Sequence, residues 1–259
     1  MFPGLIARPL RVVAVLIVLL AIGAGLWLWD RAGASTPVGE DAAVRAYREG
    51  GGPADGAPAT PGIPRPGVYS FRQSGTERGG AGPVGVSRSL PDRAPYVVTL
   101  APGGYAQELD ISEEHIEGVR VRVGPAGARE VSRRTKVTFL GVGRDDRRDL
   151  RPPPLRTPRP LTVGRTWSGR YTAGDLPVEF HSSVLRSEVV VIDGRRVAAR
   201  VVRTVGDTGG VHPGRRIDVI WWSPALSLPL RWDIDMRIGG PVTLRTTAPL
   251  ELESLEPRR

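Results

Sequence analysis

No cysteine occurs in the 259-residue chain, which excludes disulfides, a lipobox, thiolate metal sites and cysteine nucleophiles together. Lys136 is the only lysine among 36 basic residues, and it follows Thr135 rather than a glycine loop, so there is no Walker-type phosphate cradle. G-x-S-x-G and H-E-x-x-H are missing too, and Gly141-Val142-Gly143 lacks the third glycine of a dinucleotide fingerprint. Dense basic runs are also absent. The formal charge of +9 is spread as single and paired arginines, Arg72, Arg122, Arg170 and Arg237 among them, whereas a nucleic-acid footprint clusters on one face or stripe. These absences read as no nucleic acid, no cofactor, no metal and no enzyme.

Partial constellations remain. Ser112-Glu113-Glu114-His115-Ile116-Glu117 is the densest titratable group, but it lacks metal-ligand spacing and reads as a solvated turn leading into a strand. Asp233 and Asp235 stand about 7 Å apart by strand rise, near the spacing of glycosidase carboxylates. Their neighbours Arg231 and Arg237 favour ion pairing across strands instead. Asp145, Asp146 and Asp149 lack the order of a calcium loop, and His181-Ser182-Ser183 is too local to announce a triad.

One long apolar run is present. Val12 to Trp29 is eighteen residues without a charge, about 27 Å as a helix, against a hydrocarbon core of roughly 30 Å. Arg8 and Arg11 precede it while Asp30 and Arg31 cancel behind it. The positive-inside bias predicts a cytoplasmic tail over 1–11, a transmembrane helix over 12–29 and an exported remainder, with Trp27 and Trp29 at the outer interface. Cleavage near Ala34 after a signal peptide is the alternative, although the run exceeds the usual signal h-region.

Residues 30–66 read as a stalk. Glu40 to Glu49 can form a short helix, and GGGPADGAPATPGIPRP after it has too few large apolar residues to bury a core. From Gly67 to Glu256 the period is two, with 257–259 left as a tail. In LPLRWDIDMRI, Leu228, Leu230, Trp232, Ile234, Met236 and Ile238 share one face, and Val242 to Leu252 repeats the pattern after a Gly-Gly-Pro turn. Asp193-Gly194 announces a second hairpin, whose dry face is Val197, Ala199, Val201 and Val205. Weaker strands are expected over 69–77, 96–100, 105–111, 116–123, 131–140, 166–172 and 217–223, and 143–164 reads as a long surface loop. No helix lies between the strands to cover their apolar face. The fold class is therefore mainly β: an antiparallel curved sheet forming a half-barrel, barrel or sandwich, preceded by one membrane helix. Trp167, Trp221, Trp222 and Trp232 are the candidate groove or rim residues, with Trp221 and Trp222 on opposite faces of their strand.

The stretches GVYSF followed by G-x-E, ISEEHIEGVRV, PPPLRTPRPLTVGRTW, SEVVVIDGRRVAARVV and WWSPALSLPLRW resemble membrane-anchored extracytoplasmic β-domain proteins from high-GC Gram-positive bacteria, a group of unknown function. More distantly, the pattern is similar to half-barrel carriers that shelter lipoproteins or lipids in the cell envelope. The resemblance spans about 67–256. The uncovered dry face and the tether together predict a non-catalytic domain at the cell membrane that binds an apolar or amphipathic envelope component such as a lipid or lipoprotein segment. The alternatives are a fully packed accessory module of an envelope protein complex and, third, a hydrolase using Glu113 and His115 or Asp233 and Asp235.

Overall fold

In a computed structural model, residues 34–53, 60–81, 84–139, 142–210, 212–240 and 243–259 are described. The tail 1–11 and the apolar run 12–29 lie outside them, and with them the expected membrane helix. Among the described residues no helix is long and apolar enough to cross a membrane.

Among the described residues one helix, α1 (Glu40–Glu49), precedes fifteen strands: β1 (Gly67–Gln73), β2 (Thr76–Ala81), β3 (Val84–Ser89), β4 (Arg93–Ala101), β5 (Gly104–Ser112), β6 (His115–Gly124), β7 (Gly127–Phe139), β8 (Val142–Arg151), β9 (Leu155–Pro158), β10 (Thr166–Ala173), β11 (Leu176–Ile192), β12 (Arg195–Thr208), β13 (Gly214–Ser223), β14 (Leu228–Ile238) and β15 (Thr243–Leu252). Hydrogen-bonded neighbours run β1-β4-β5-β6-β7-β8-β10-β11-β12-β13-β14-β15 and return to β1. Every ladder between these strands is antiparallel, so the sheet is a closed twelve-stranded barrel, and the half-barrel and sandwich alternatives fall away. Closure removes both sheet edges, which is how an all-β chain without covering helices hides its apolar face.

β1 and β2 are two parts of one path along β15: Phe71–Gln73 pair with Leu250–Leu252, and Thr76–Gly80 with Thr243–Thr247. The break falls at Gly75, whose φ of 120° and close approach to the Thr247 carbonyl leave no room for a Cβ. The β2–β3 hairpin thereby leaves the wall occupied by β1 and β4. Its residue Gly79 lies directly against the Phe139 ring. The predicted Asp193-Gly194 turn is present, with both residues at positive φ, and it closes the longest ladder of the barrel.

Three expectations are corrected. The stretch 143–164 is not one loop, because β8 pairs with β7 over eight positions and β9 pairs with the start of β7. Its polar sequence hides a strand held by backbone bonds and charge, as in the Arg134–Asp145 pair at 2.8 Å. The dry face of β12 does not continue to Val205: Val201 and Val202 are both buried, and the buried parity reverses there, opposite a bulge in β11 between Val184 and Arg186. Finally, α1 is packed on the barrel wall rather than held away in a stalk. Ala43, Val44 and Tyr47 cover Val68 and Val97, while Arg258 holds Glu40 at 3.1 Å and Asp41 at 2.7 Å. Upstream, Ser35 N donates to Ser89 O and Thr36 bonds Glu114.

The interior has two halves. Under β1, β4, β5, β14 and β15 it is filled by Tyr69, Phe71, Tyr96, Leu109, Ile234 and Leu250, all buried. The Phe71 ring meets Tyr96 edge-on at 5.6 Å. Under β7 and β10 to β13 the inward side chains are smaller or more polar, and space is left between them. The wall is thinnest there as well: β8 and β10 share two register pairs, and the chain between β8 and β9 is Pro152-Pro153-Pro154, which has no N–H to donate.

Candidate ligand cavity

The space in the second half is a cavity of about 520 Å³, within the range of small-molecule sites. Alternation along β13 carries Arg216, Asp218, Ile220 and Trp222 to its surface, and β11 and β12 add Val178, Phe180, Ser182, Val202, Thr204 and Gly206. Trp167 and Leu161 complete an apolar cluster with Trp222 and Val202, and Trp167 Nε1 is satisfied by the Leu155 carbonyl at 3.0 Å. Exposed Arg144, Arg215 and Arg237 belong to the lining at its rim.

Of the four candidate tryptophans, Trp167, Trp222 and Trp232 line this cavity, and Trp221 does not. Its opposite parity turns it toward Arg186, whose guanidinium lies 6.0 Å from the indole. The aspartates of β14 stay away from the cavity: Asp233 is exposed and Asp235 half-buried. Neither aspartate joins an ion pair among the described residues; the cross-strand pair of Arg231 is made with Glu251 on β15.

His115 is the largest departure from the sequence reading. It is not in a solvated turn but is completely buried, as is Ser112, and Glu117 is nearly so. An alternating chain of charge crosses the interior through it. Arg88 on β3 holds Glu77 on β2 at 2.6 Å; Glu77 Oε1 meets His115 Nδ1; His115 Nε2 reaches Glu117 at 3.3 Å; and Arg216 joins Glu117 at 2.6 Å to Asp218 at 2.8 Å. Trp232 Nε1 donates to Asp218 at 2.8 Å, and Thr246 Oγ1 to Glu77 at 3.1 Å. Burial alone would push His115 toward the neutral form, but hydrogen bonds and charge from Glu117 and Glu77 outweigh it and lift the imidazole to about 9. Hydrogen bonds and charge from His115, and then from Arg88, bring Glu77 down to about 2 against its own burial. Burial also opposes ionisation of Glu117, and the Arg216 charge, followed by the His115 contacts, holds it well below the usual carboxylate range. With His115 charged, three cations alternate with three carboxylates and both imidazole nitrogens donate.

Arg133 and Glu130 form a second interior pair, at 2.8 Å, and both line the cavity. The sequence reading singles out His115 and Glu117 but places them in a solvated turn, and it misses Glu77, Arg88, Arg216, Asp218, Glu130 and Arg133. The available signal was parity: counting back in twos from Trp222 reaches Asp218 and Arg216, and counting on in twos from His115 reaches Glu117. Polar residues at inward positions disguise that signal as a wet face.

No protein-family model matches the chain, and no curated protein matches it. Among solved structures it is similar to the hypothetical lipoprotein YmcC from Escherichia coli (K12). The identity is 11%, the TM-score 0.33, and the match covers 74% of this chain and 89% of that one. Similarity at that level carries no argument about function.

Proposed function

We propose that the barrel is a non-catalytic binder of an apolar or amphipathic component of the cell envelope, held in the interior cavity. One observation carries this reading: a closed barrel that could have been packed solid keeps a 520 Å³ space beside Trp167, Trp222 and Trp232. Leaving such space unfilled forfeits contact energy, since each missing methylene contact in a core costs on the order of 1 kcal/mol. An occupant that removes its own apolar surface from water restores it. The motif resemblance to envelope proteins and the apolar run 12–29 agree with a site at a membrane. A catalytic role for His115 is disfavoured by the commitment of both its ring nitrogens to carboxylates and by its complete burial.

The test uses the full chain held in amphipol, so that no free detergent competes, with the neutral dye Nile red as probe. Binding with enhanced emission is expected, and Gly206→Phe is expected to abolish it. A Cβ at Gly206 meets nothing nearer than 3.9 Å, so the added ring can enter the cavity without displacing the wall. If Nile red fails to bind, or binds equally to both proteins, the reading is wrong.

A further inference from the structure

Taking the binding reading as its base, we infer that the ligand carries an anionic headgroup and that Arg156 is the residue that holds it. Six arginines line the cavity, and among the described residues four of them face a carboxylate: Arg133 with Glu130, Arg144 with Asp146, Arg215 with Asp207, and Arg216 with Glu117 and Asp218. Arg237 is exposed at the rim. Arg156 is half-buried inside and makes no salt bridge to a described carboxylate. It enters from β9, beside Ala128 and Arg129 at the start of β7, whereas rim residue Arg144 lies opposite Val137 near the end of that strand.

Arg156 is held by neutral groups alone. With its amide turned so that the carbonyl faces the guanidinium, buried Gln107 accepts from Nη2 at 2.6 Å and Nη1 at 3.0 Å, and its NH₂ donates to Tyr96 Oη at 2.6 Å. A guanidinium has five N–H donors, so this contact leaves a forked set free. Close by, Tyr105 is wholly buried and its hydroxyl has no hydrogen-bond partner. The uncompensated cation and the apolar surface of Leu155, Trp167 and Trp222 line the same cavity, whereas Tyr105 is buried and is not part of the lining. A headgroup with two or three equivalent anionic oxygens satisfies the fork, while an attached alkyl chain lies along the indoles. A fatty carboxylate and an alkyl phosphate both have this chemistry.

The experiment displaces bound Nile red from the full chain in amphipol with dodecanoate, dodecyl phosphate or dodecanol at pH 8. Dodecanoate or dodecyl phosphate is expected to compete at least tenfold better than dodecanol, and the stronger of the two identifies the headgroup. Arg156→Gln is expected to erase that preference, read as the ratio of anionic ligand to dodecanol competition within the variant itself, and Arg156→Lys to keep part of it. If the wild type shows no preference, or keeps it in Arg156→Gln, the headgroup assignment is overturned while apolar binding stands. If Nile red itself does not bind, the binding reading fails and this assignment goes with it.

Discussion

The two halves of the barrel share one wall and one hydrogen-bonding scheme, yet one is solid and the other hollow. The difference is side-chain volume at inward positions. Tyr69, Phe71, Tyr96, Leu109, Ile234 and Leu250 meet across the first half, while Thr135, Ser182, Thr204, Gly206 and Thr208 face into the second. Twelve strands enclose more volume than side chains of the second kind can fill, because barrel diameter grows with strand number. The filled half supplies the stability that allows the other to stay open, and the charged chain from Arg88 to Asp218 marks the boundary between them.

The sharpest way to break this comparison is to truncate one phenylalanine in each half. Phe71 is fully buried in close packing, and Phe71→Ala is expected to cost about 3–5 kcal/mol. Phe180 lines the cavity and is only half-buried, with the Tyr171 ring 6.1 Å away. Since space already surrounds it, Phe180→Ala is expected to cost less than half as much, about 1–2 kcal/mol. Urea denaturation of the two variants measures both. Equal losses would mean that the second half is packed after all.

The boundary gives the next effect. Removing one member of a buried ion chain strands its neighbours, so Glu77→Gln is expected to cost about 3 kcal/mol at pH 6, near the lower end of losses for broken buried pairs. Its pH dependence has two limbs. The folded pKa of His115 lies above its ordinary 6.5, so its contribution is complete below pH 6.5 and is lost as pH rises through about 9. Glu77 is displaced the other way, so its contribution is present above about pH 4.5 and is lost as pH falls toward 2. Asp110, raised to about 7 by burial and then by Glu108, stays protonated in the fold where the unfolded carboxyl is already ionised, so its penalty builds from about pH 4 to about 7 and is constant above that. Stability should therefore peak near pH 4 to 5 and fall in two overlapping stages, up to about pH 7 for Asp110 and from 6.5 through about 9 for His115. His115→Gln should lower that peak and flatten the alkaline limb above pH 6.5. A wild-type protein equally stable at pH 6 and pH 9 would remove the charged imidazole from the account.

How much of each half is legible in the sequence follows the same division. The β14–β15 ribbon and the Asp193-Gly194 hairpin announce themselves because one face is apolar and the other polar, or because the turn demands positive φ. In the hollow half both faces carry polar residues, so the alternation that reveals a strand vanishes. Arg-Asp-Asp-Arg-Arg-Asp in β8 reads as a loop although it pairs with β7 over eight positions. Closure into a barrel is equally silent, since the β1–β15 contact joins residues from opposite ends of the domain. The tryptophans are legible as site candidates; Arg156 and Gln107 are not, because nothing local links positions separated by some fifty residues of chain.

The smallest expected effect separates neighbours in sequence. Trp222 lines the cavity and Trp221 faces the opposite side of β13, with a bulge in the ladder between them. Replacing either by phenylalanine keeps an aromatic ring in place and is expected to change stability by about 1 kcal/mol or less for Trp221→Phe, and by slightly more for the better buried Trp222→Phe. The informative readout is spectroscopic. When Nile red enters the cavity, energy transfer from tryptophan to the dye depends steeply on their separation. Trp222→Phe should therefore reduce the dye-induced loss of tryptophan emission clearly more than Trp221→Phe does. An equal reduction from both, or a larger one from Trp221→Phe, would put the dye on the outer surface of the wall rather than in the hollow half.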